Sequence, residues 1–240
     1  MKEDKFVLVT GGARRIGRSI ALAIARSGID VALHYWQSQA EAKNLRTEIE
    51  ALGRKVILLQ ADLAQPEQVK TLVPRVLEHG FLVGLINNAA IFENLDWTNS
   101  NLEDWNRHLM VNLTAPFLLS QAFARALPPA ETGRIINLLD WRSLRPSADH
   151  LPYNISKSAL AALTHSLAAA LAPHITVNGL ALGAVLPPVD GTVDKKILDK
   201  IPSGRWATLE EINQALLFLL TGPTYITGEI LYVDGGRHLL

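Results

Sequence analysis

The stretch Phe6-Val7-Leu8-Val9-Thr10-Gly11-Gly12-Ala13-Arg14-Arg15-Ile16-Gly17 decides the fold. A short apolar run enters a glycine-rich turn. The chain leaves that turn into Ile16–Ser27, where apolar residues recur at helical spacing. A pyrophosphate needs small residues where backbone approaches it and a helix N-terminus aimed at it. Gly11, Gly12 and Gly17 meet that need between the first strand and the first helix. Gly11, Arg14, Arg15, Ile16 and Gly17 are therefore expected against a dinucleotide. Arg15 stands where a glycine is usual.

Outward from this turn, short apolar runs alternate with longer amphipathic segments. Strands are expected at Phe6–Val9, Asp30–Leu33, Lys55–Leu59, Val83–Ile86, Arg134–Leu138, Ile175–Val177 and Ile230–Val233. Their unbroken apolar character suits strands buried on both faces, as in parallel sheets. Helices are expected at Ile16–Ser27, Ala40–Leu52, Pro66–Glu78, Leu102–Leu127, Pro152–Leu171 and Leu209–Leu220, with Gly28, Gly53 and Gly80 as C-terminal caps. The alternation predicts one α/β domain over residues 1–240. Its sheet would be doubly wound (Rossmann-type), seven-stranded and parallel, with helices on both faces. The irregular stretch Gly183–Thr208 holds Pro187, Pro188 and Pro202 and follows a strand's carboxyl end, so a flap over the site is expected there.

Bulk properties exclude several function classes. The 240 residues are 48% hydrophobic, enough for a large core, and 23 basic residues balance 23 acidic ones. No charge field points to nucleic acid or to an anionic membrane. The chain has no cysteine, which removes disulfides and thiolate chemistry, and its histidines lack metal-ligand spacing. The charged start Met1–Lys5 shows no signal peptide, and the alanine-rich run Ser158–Pro173 is too short to span a bilayer, so a cytoplasmic protein is expected.

Enzymes that read NAD usually place an acid after the second strand, to hold the ribose hydroxyls. Here that region is Leu33-His34-Tyr35-Trp36-Gln37-Ser38, with no acid before Glu41. A carboxylate there would repel a 2′-phosphate, whereas His34, Ser38 and Arg14 offer donors to one. NADPH is therefore the expected cofactor.

Tyr153 and Lys157 lie four apart on an expected helix and share a face. An ammonium beside a phenol favours phenolate, so a lowered Tyr153 pKa is expected, giving a usable proton donor. With these residues the chain resembles the short-chain dehydrogenase/reductase family over essentially its whole length. The matches are the Thr10–Gly17 turn, Asp62-Leu63, Asn87-Asn88-Ala89-Ala90, Asn112, Tyr153/Lys157, Asn178–Gly183 and Asp234-Gly235-Gly236. The resemblance implies that Tyr35, Asp62, Leu63, Asn88, Ala89 and Gly183 lie along the cofactor. It further implies that Tyr153 is the acid, that Lys157 holds the nicotinamide ribose, and that Asn112 supports a proton-relay water. Homotetramers are common in the family, and a homotetramer is expected, with the alanine-rich Ser158–Ala172 helix packing closely on a second subunit.

The departures narrow the reading. Asp140, thirteen residues before Tyr153, replaces a serine that ordinarily orients a ketone oxygen. A carboxylate repels a carbonyl oxygen and accepts from N–H groups. Its charge also opposes ionisation of Tyr153, which Lys157 must offset. The site suits reduction of a C=N bond in a nitrogen-rich ring. The chain is similar to the pteridine reductase branch, including dihydromonapterin reductases, in Arg15, Asp140, His34-Tyr35, the ending Asp234–Leu239, and Phe92 four residues after Asn88. That likeness implies a pterin stacked between Phe92 and the nicotinamide, with Arg15, Phe92, Asp140 and Tyr153 around the substrate. Dihydromonapterin, dihydrobiopterin and dihydrofolate are the candidates. Leu182, Ala90 and Gln37 depart from the branch. The competing expectations are a short-chain carbonyl or 3-oxoacyl reductase and a non-catalytic NADPH-binding protein.

Overall fold

The computed structural model describes residues 4–145, 148–186 and 195–240. Seven strands, β1 (Lys5–Val9), β2 (Asp30–Tyr35), β3 (Val56–Gln60), β4 (Phe81–Asn87), β5 (Gly133–Asp140), β6 (Ile175–Leu182) and β7 (Ile230–Val233), form one sheet. The order is β3-β2-β1-β4-β5-β6-β7, and every neighbouring pair is parallel. The helices are α1 (Arg15–Arg26), α2 (Gln39–Ala51), α3 (Pro66–Leu77), α4 (Leu102–Leu109), α5 (Ala115–Ala126), α6 (Leu151–Leu171) and α7 (Leu209–Thr221).

Strand β1 shows why the apolar runs do not alternate with polar residues. Val7 and Val9 point into one core with Ile20, Ile24, Leu45 and Leu216; Phe6 and Leu8 point into the other with Leu72, Val76, Leu119 and Phe123. Successive side chains leave opposite faces of a strand, so a sheet covered on both sides needs both sets apolar. Helices α1, α2 and α7 pack together on one face, and α3, α5 and α6 on the other.

The chain leaves β1 toward β2 on one side of it, while β4 pairs on the other side. This reversal opens a crevice at the carboxyl ends of β1 and β4, where open α/β sheets hold ligands. The strands run further at their carboxyl ends than the apolar pattern predicts: β2 to Tyr35, β5 to Asp140 and β6 to Leu182. Asp140 is therefore held by the sheet register, opposite Leu182.

The single helix expected over Leu102–Leu127 is divided. A π-helical segment, Met110–Thr114, separates α4 from α5. Pro116 has no N–H to give the Asn112 carbonyl four residues back. The Asn112 side chain adds a second cause. Its Oδ1 accepts from Ile91 N–H (2.9 Å), and its Nδ2 donates to Ile91 O (3.1 Å) and Ser156 Oγ (3.0 Å). In the expected flap, Lys195–Lys200 is a 3₁₀ turn. Ala207 N–H donates to Ala184 O at 3.0 Å and Ser203 N–H to Gly235 O at 3.1 Å. Residues 187–194 lie outside the described residues, so the flap is seen only at its ends.

Replacing Asn112 by Ala strands the buried Ile91 amide and the Ser156 hydroxyl. We expect a loss of about 1–3 kcal/mol of unfolding free energy, measured by urea denaturation. An unchanged midpoint and slope would remove Asn112 as the pin between α4 and the strip leading to Phe92.

Candidate active site

The turn after β1 is braced from three directions. Thr10 Oγ1 donates to Ile86 O (3.3 Å) and accepts from the Asn88 and Ala89 amides (both 3.0 Å). Asn88 Nδ2 donates to Thr10 O (2.8 Å) and Gly11 O (3.1 Å). Gly11 N–H donates to His34 Nδ1 at 3.0 Å. That acceptance puts the ring proton on Nε2, which donates to Ala61 O at 3.1 Å. Gly17 closes the turn from the helix side. A Cβ there would fall 2.3 Å from Gly11 O and 2.6 Å from Asn88 Nδ2, so no larger residue fits without moving backbone. Arg15 keeps the left-handed conformation a glycine would take freely, at φ 51. For a side chain with a Cβ this costs roughly 1–2 kcal/mol, and such strain tends to gather at ligand sites.

These braces shape a cleft of about 870 Å³ whose wall includes Gly11, Arg14, Arg15, Ile16, Gly17, Asp62, Leu63, Asn88 and Ala89. Small residues, a helix N-terminus and an arginine edge at one end fit a phosphorylated dinucleotide. Arg14 lies 3.6 Å from Glu41, with both side chains exposed, so a bound phosphate could recruit it at little cost. Trp36, 52% exposed, also lines the cleft. Its signal in the sequence was an aromatic directly after β2, which motif reading passes over.

Four of the residues expected at the cofactor have other tasks in the structure. His34 lines the cleft but is 2% exposed, and both its ring nitrogens are bonded to Gly11 and Ala61, so it orders the turn. Burial pushes its pKa down to about 4, which keeps it neutral. Tyr35 is buried among Val9, Leu33 and Ala42, and its carbonyl accepts from Ala61 N–H. As the last residue of β2 it follows the strand alternation into the core. A Cβ at Gly183 would meet Asp234 Cα at 2.6 Å, so this glycine allows the end of β6 to pack closely against the residue that follows β7. Ser38 caps α2 without a side-chain bond and lies outside the cleft wall.

At the carboxyl end of β5 the chemistry-bearing groups converge. Tyr153 Oη donates to Asp140 Oδ2 at 3.1 Å. Asp140 Oδ1 accepts from Arg142 N–H (2.9 Å), and Arg142 Nη1 lies 3.6 Å from it. Lys157 is buried, donates to Leu138 O (2.7 Å), and sits 6.0 Å from the Tyr153 ring centroid. The expected lowering of the tyrosine pKa is reversed: burial first, and then Asp140, hold the phenol well above its usual value. The carboxylate touches the hydroxyl, whereas the ammonium is turned toward a carbonyl, so the nearer charge wins. Burial brings Lys157 down to about 8, against the opposing pull of Asp140.

Phe92 is 53% exposed in the cleft wall. It meets Tyr153 edge-on (4.7 Å) and stacks on His150 (4.1 Å, 22°). His150 takes a left-handed backbone at φ 50, and its Nδ1 bonds Glu93 O at 2.7 Å. Arg142 and this His150 shelf were not predicted as site residues. Histidine two residues before Pro152 and arginine two after Asp140 carry no motif; only the turn geometry brings them in. The Asn112 side chain is committed to Ile91 and Ser156. Among the described residues no acid or histidine cluster could hold a metal, and no helix is long and apolar enough to cross a membrane.

A family model described as enoyl-(acyl carrier protein) reductase, of the short-chain dehydrogenase type, matches residues 11–238. The chain belongs to the short-chain dehydrogenase/reductase family. Among its relatives, a 3-oxoacyl-[acyl-carrier-protein] reductase of Synechocystis sp. is 33% identical, over 95% of each chain. Among solved structures, FolM alternative dihydrofolate reductase 1 from Brucella suis, in complex with NADP, superposes with TM-score 0.91 at 33% identity, covering 99% of this chain and 96% of that one. A short-chain dehydrogenase from Burkholderia cenocepacia, also with NADP, superposes with TM-score 0.90 at 36% identity, covering 98% and 97%.

The His34 brace makes a pH prediction. Its folded pKa of about 4 lies below the ordinary 6.5, so the stability it contributes is complete above pH 6.5. That stability is lost as pH falls toward 4, because the unfolded chain takes up the proton first. The loss amounts to about 3 kcal/mol. Urea unfolding at pH 7.5 and 4.5 measures it, and His34→Gln should flatten the difference. Equal pH dependence in both proteins would contradict the brace.

Proposed function

We propose that the protein is an NADPH-dependent reductase of a pterin-type C=N bond, converting a dihydropterin to a tetrahydropterin. One observation carries this reading: the tyrosine hydroxyl is bonded to a carboxylate where carbonyl reducers ordinarily use a neutral hydroxyl. A carboxylate welcomes the N–H groups of a pterin ring and repels a ketone oxygen. Phe92, exposed beside Tyr153, gives a flat ring a surface to stack on.

Bound NADPH supplies the hydride for the ring carbon. The chain's residues do the rest. Asp140 is fixed by Arg142 N–H and accepts ring N–H groups, setting the orientation of the substrate. Tyr153, held protonated at neutral pH, carries the proton for the ring nitrogen. Lys157 offsets the charge that would remain on the phenol. Arg14 and Arg15 at the rim favour the 2′-phosphate, in line with the absence of an acid after β2 and with the NADP held by the structural relatives.

Reduction of a 3-oxoacyl thioester is the second reading, favoured by the names of the sequence relatives. A panel of dihydropterins, ketones and 3-oxoacyl thioesters, followed by NADPH oxidation, separates the two. Turnover of thioesters alone would refute the pterin reading.

Asp140→Ser should lower pterin turnover by about 100-fold or more, the usual worth of a positioned acid–base group. The dissociation constant for NADPH, read by its fluorescence, should move little. A variant with full turnover would remove Asp140 from the chemistry. The pH–rate profile should fall as pH rises through about 8, where Lys157 gives up its proton. Continued high rates at pH 9.5 would exclude a role for the ammonium.

A further inference from the structure

The residue after Asp140 has a charge environment that hydride transfer does not need. Arg142 Cζ lies 5.0 Å from the Trp141 ring centroid, and Arg237 Cζ lies 4.3 Å from it. Arg142 belongs to the turn after β5, whereas Arg237 opens the 3₁₀ turn Arg237–Leu239 near the end of the chain. Two guanidinium groups are thus drawn to one indole from distant parts of the sequence, beside the reacting carboxylate.

Acids stand near both cations: Arg142 Nη1 lies 3.6 Å from Asp140 Oδ1, and the charges of Asp140, Asp234 and Asp149 reach Arg237. Asp140 is committed to Tyr153 Oη and Arg142 N–H. Asp234 accepts from the amides of Gly236 (3.0 Å) and His238 (2.7 Å) and lies 2.9 Å from the His238 ring. Asp149, the third acid whose charge reaches Arg237, has partners of its own. Arg237 Nε is buried and has no hydrogen-bond partner. Burial, and then repulsion from Arg142, make Arg237 harder to keep protonated, against the opposing pull of Asp140, Asp234 and Asp149.

We infer that Arg142 and Arg237 form a docking site for an anionic group, carboxylate or phosphate, on the distal part of the substrate. Planar guanidinium forks match both anions, and the Trp141 face offers a surface for the spacer between anion and reacting ring. The inference rests on the pterin reading and sharpens it: the site favours a pterin with an acidic tail, such as dihydrofolate, over one with a neutral polyol side chain, such as dihydrobiopterin. On an acyl thioester, the same site would take the phosphate of a phosphopantetheine arm.

Binding of dihydrofolate and dihydrobiopterin to the NADP⁺-loaded protein, by calorimetry, tests it without turnover. In Arg237→Gln the preference for dihydrofolate over dihydrobiopterin should fall by about tenfold or more. Arg237→Lys keeps the charge but loses the fork and should fall between. NADP⁺ affinity within twofold of the parent shows that each variant is folded. An unchanged preference, or equal weakening of both pterins, overturns the docking site. If neither pterin binds the parent protein, the pterin reading fails by itself. The docking site is then judged on 3-oxoacyl thioesters of phosphopantetheine and of phosphate-free N-acetylcysteamine. A phosphate preference that Arg237→Gln abolishes supports it, and no phosphate preference overturns it.

Discussion

The structure depends on how the carboxyl ends of β1 and β4 are tied together. Four hydrogen bonds cross that gap: Thr10 Oγ1 receives the Asn88 and Ala89 amides, and Asn88 Nδ2 returns to the Thr10 and Gly11 carbonyls. An open crevice at a topological switch point would otherwise leave these backbone groups unpaired, at a cost of about 1–3 kcal/mol each. The bonds replace water with protein, and the turn can then present bare backbone to a ligand. His34 completes the arrangement from β2. Its depressed pKa and its two hydrogen bonds have one cause, the complete burial of a ring used as a connector.

The reacting centre is set by competition between charges at different distances. Burial comes first; Asp140 touches the Tyr153 hydroxyl while Lys157 donates to the Leu138 carbonyl, so the carboxylate adds to burial and the phenol stays protonated. In a site built around a neutral hydroxyl, the same lysine would face no such opposition. Replacement of one neutral side chain by an acid therefore adds to the opposition that ionisation of the tyrosine meets.

The sheet, its parallel pairing and the order of helices were legible because each rests on a local period. Strand alternation and helical spacing repeat within a few residues, and the two-faced burial of Phe6, Val7, Leu8 and Val9 follows directly from an unbroken apolar run. The Gly17 turn was legible because close backbone approach admits only small residues. The division of Leu102–Leu127 was not, although Pro116 marks it; a proline near an apolar stretch signals a kink only once the carbonyl it orphans is located. The burial of Tyr35 and the bracing role of His34 were not legible, because sequence spacing places a residue beside a cleft without saying which way its side chain is spent. Tyr153 shows the same limit: four-residue spacing put Lys157 on its face, but register in β5 put Asp140 closer.

What register contributes can be followed along β5. The strand continues past its last aliphatic residues to Asp140, paired with Leu182 of β6, so the acid sits at the lip of the sheet with its backbone fixed. The following four residues curl into a 3₁₀ turn whose first amides return to Asp140, and this curl carries Trp141 and Arg142 to the mouth. The end of β7 reaches the same lip, and Arg237 arrives over Trp141 from there. The acid, the aromatic and the two cations are gathered by the ends of β5 and β7, parallel strands on either side of β6. A carboxyl-terminal edge therefore assembles, from residues far apart in sequence, a reacting acid and a charged margin beside it. Selectivity can then be altered along that margin without disturbing the braced turn that holds the nucleotide.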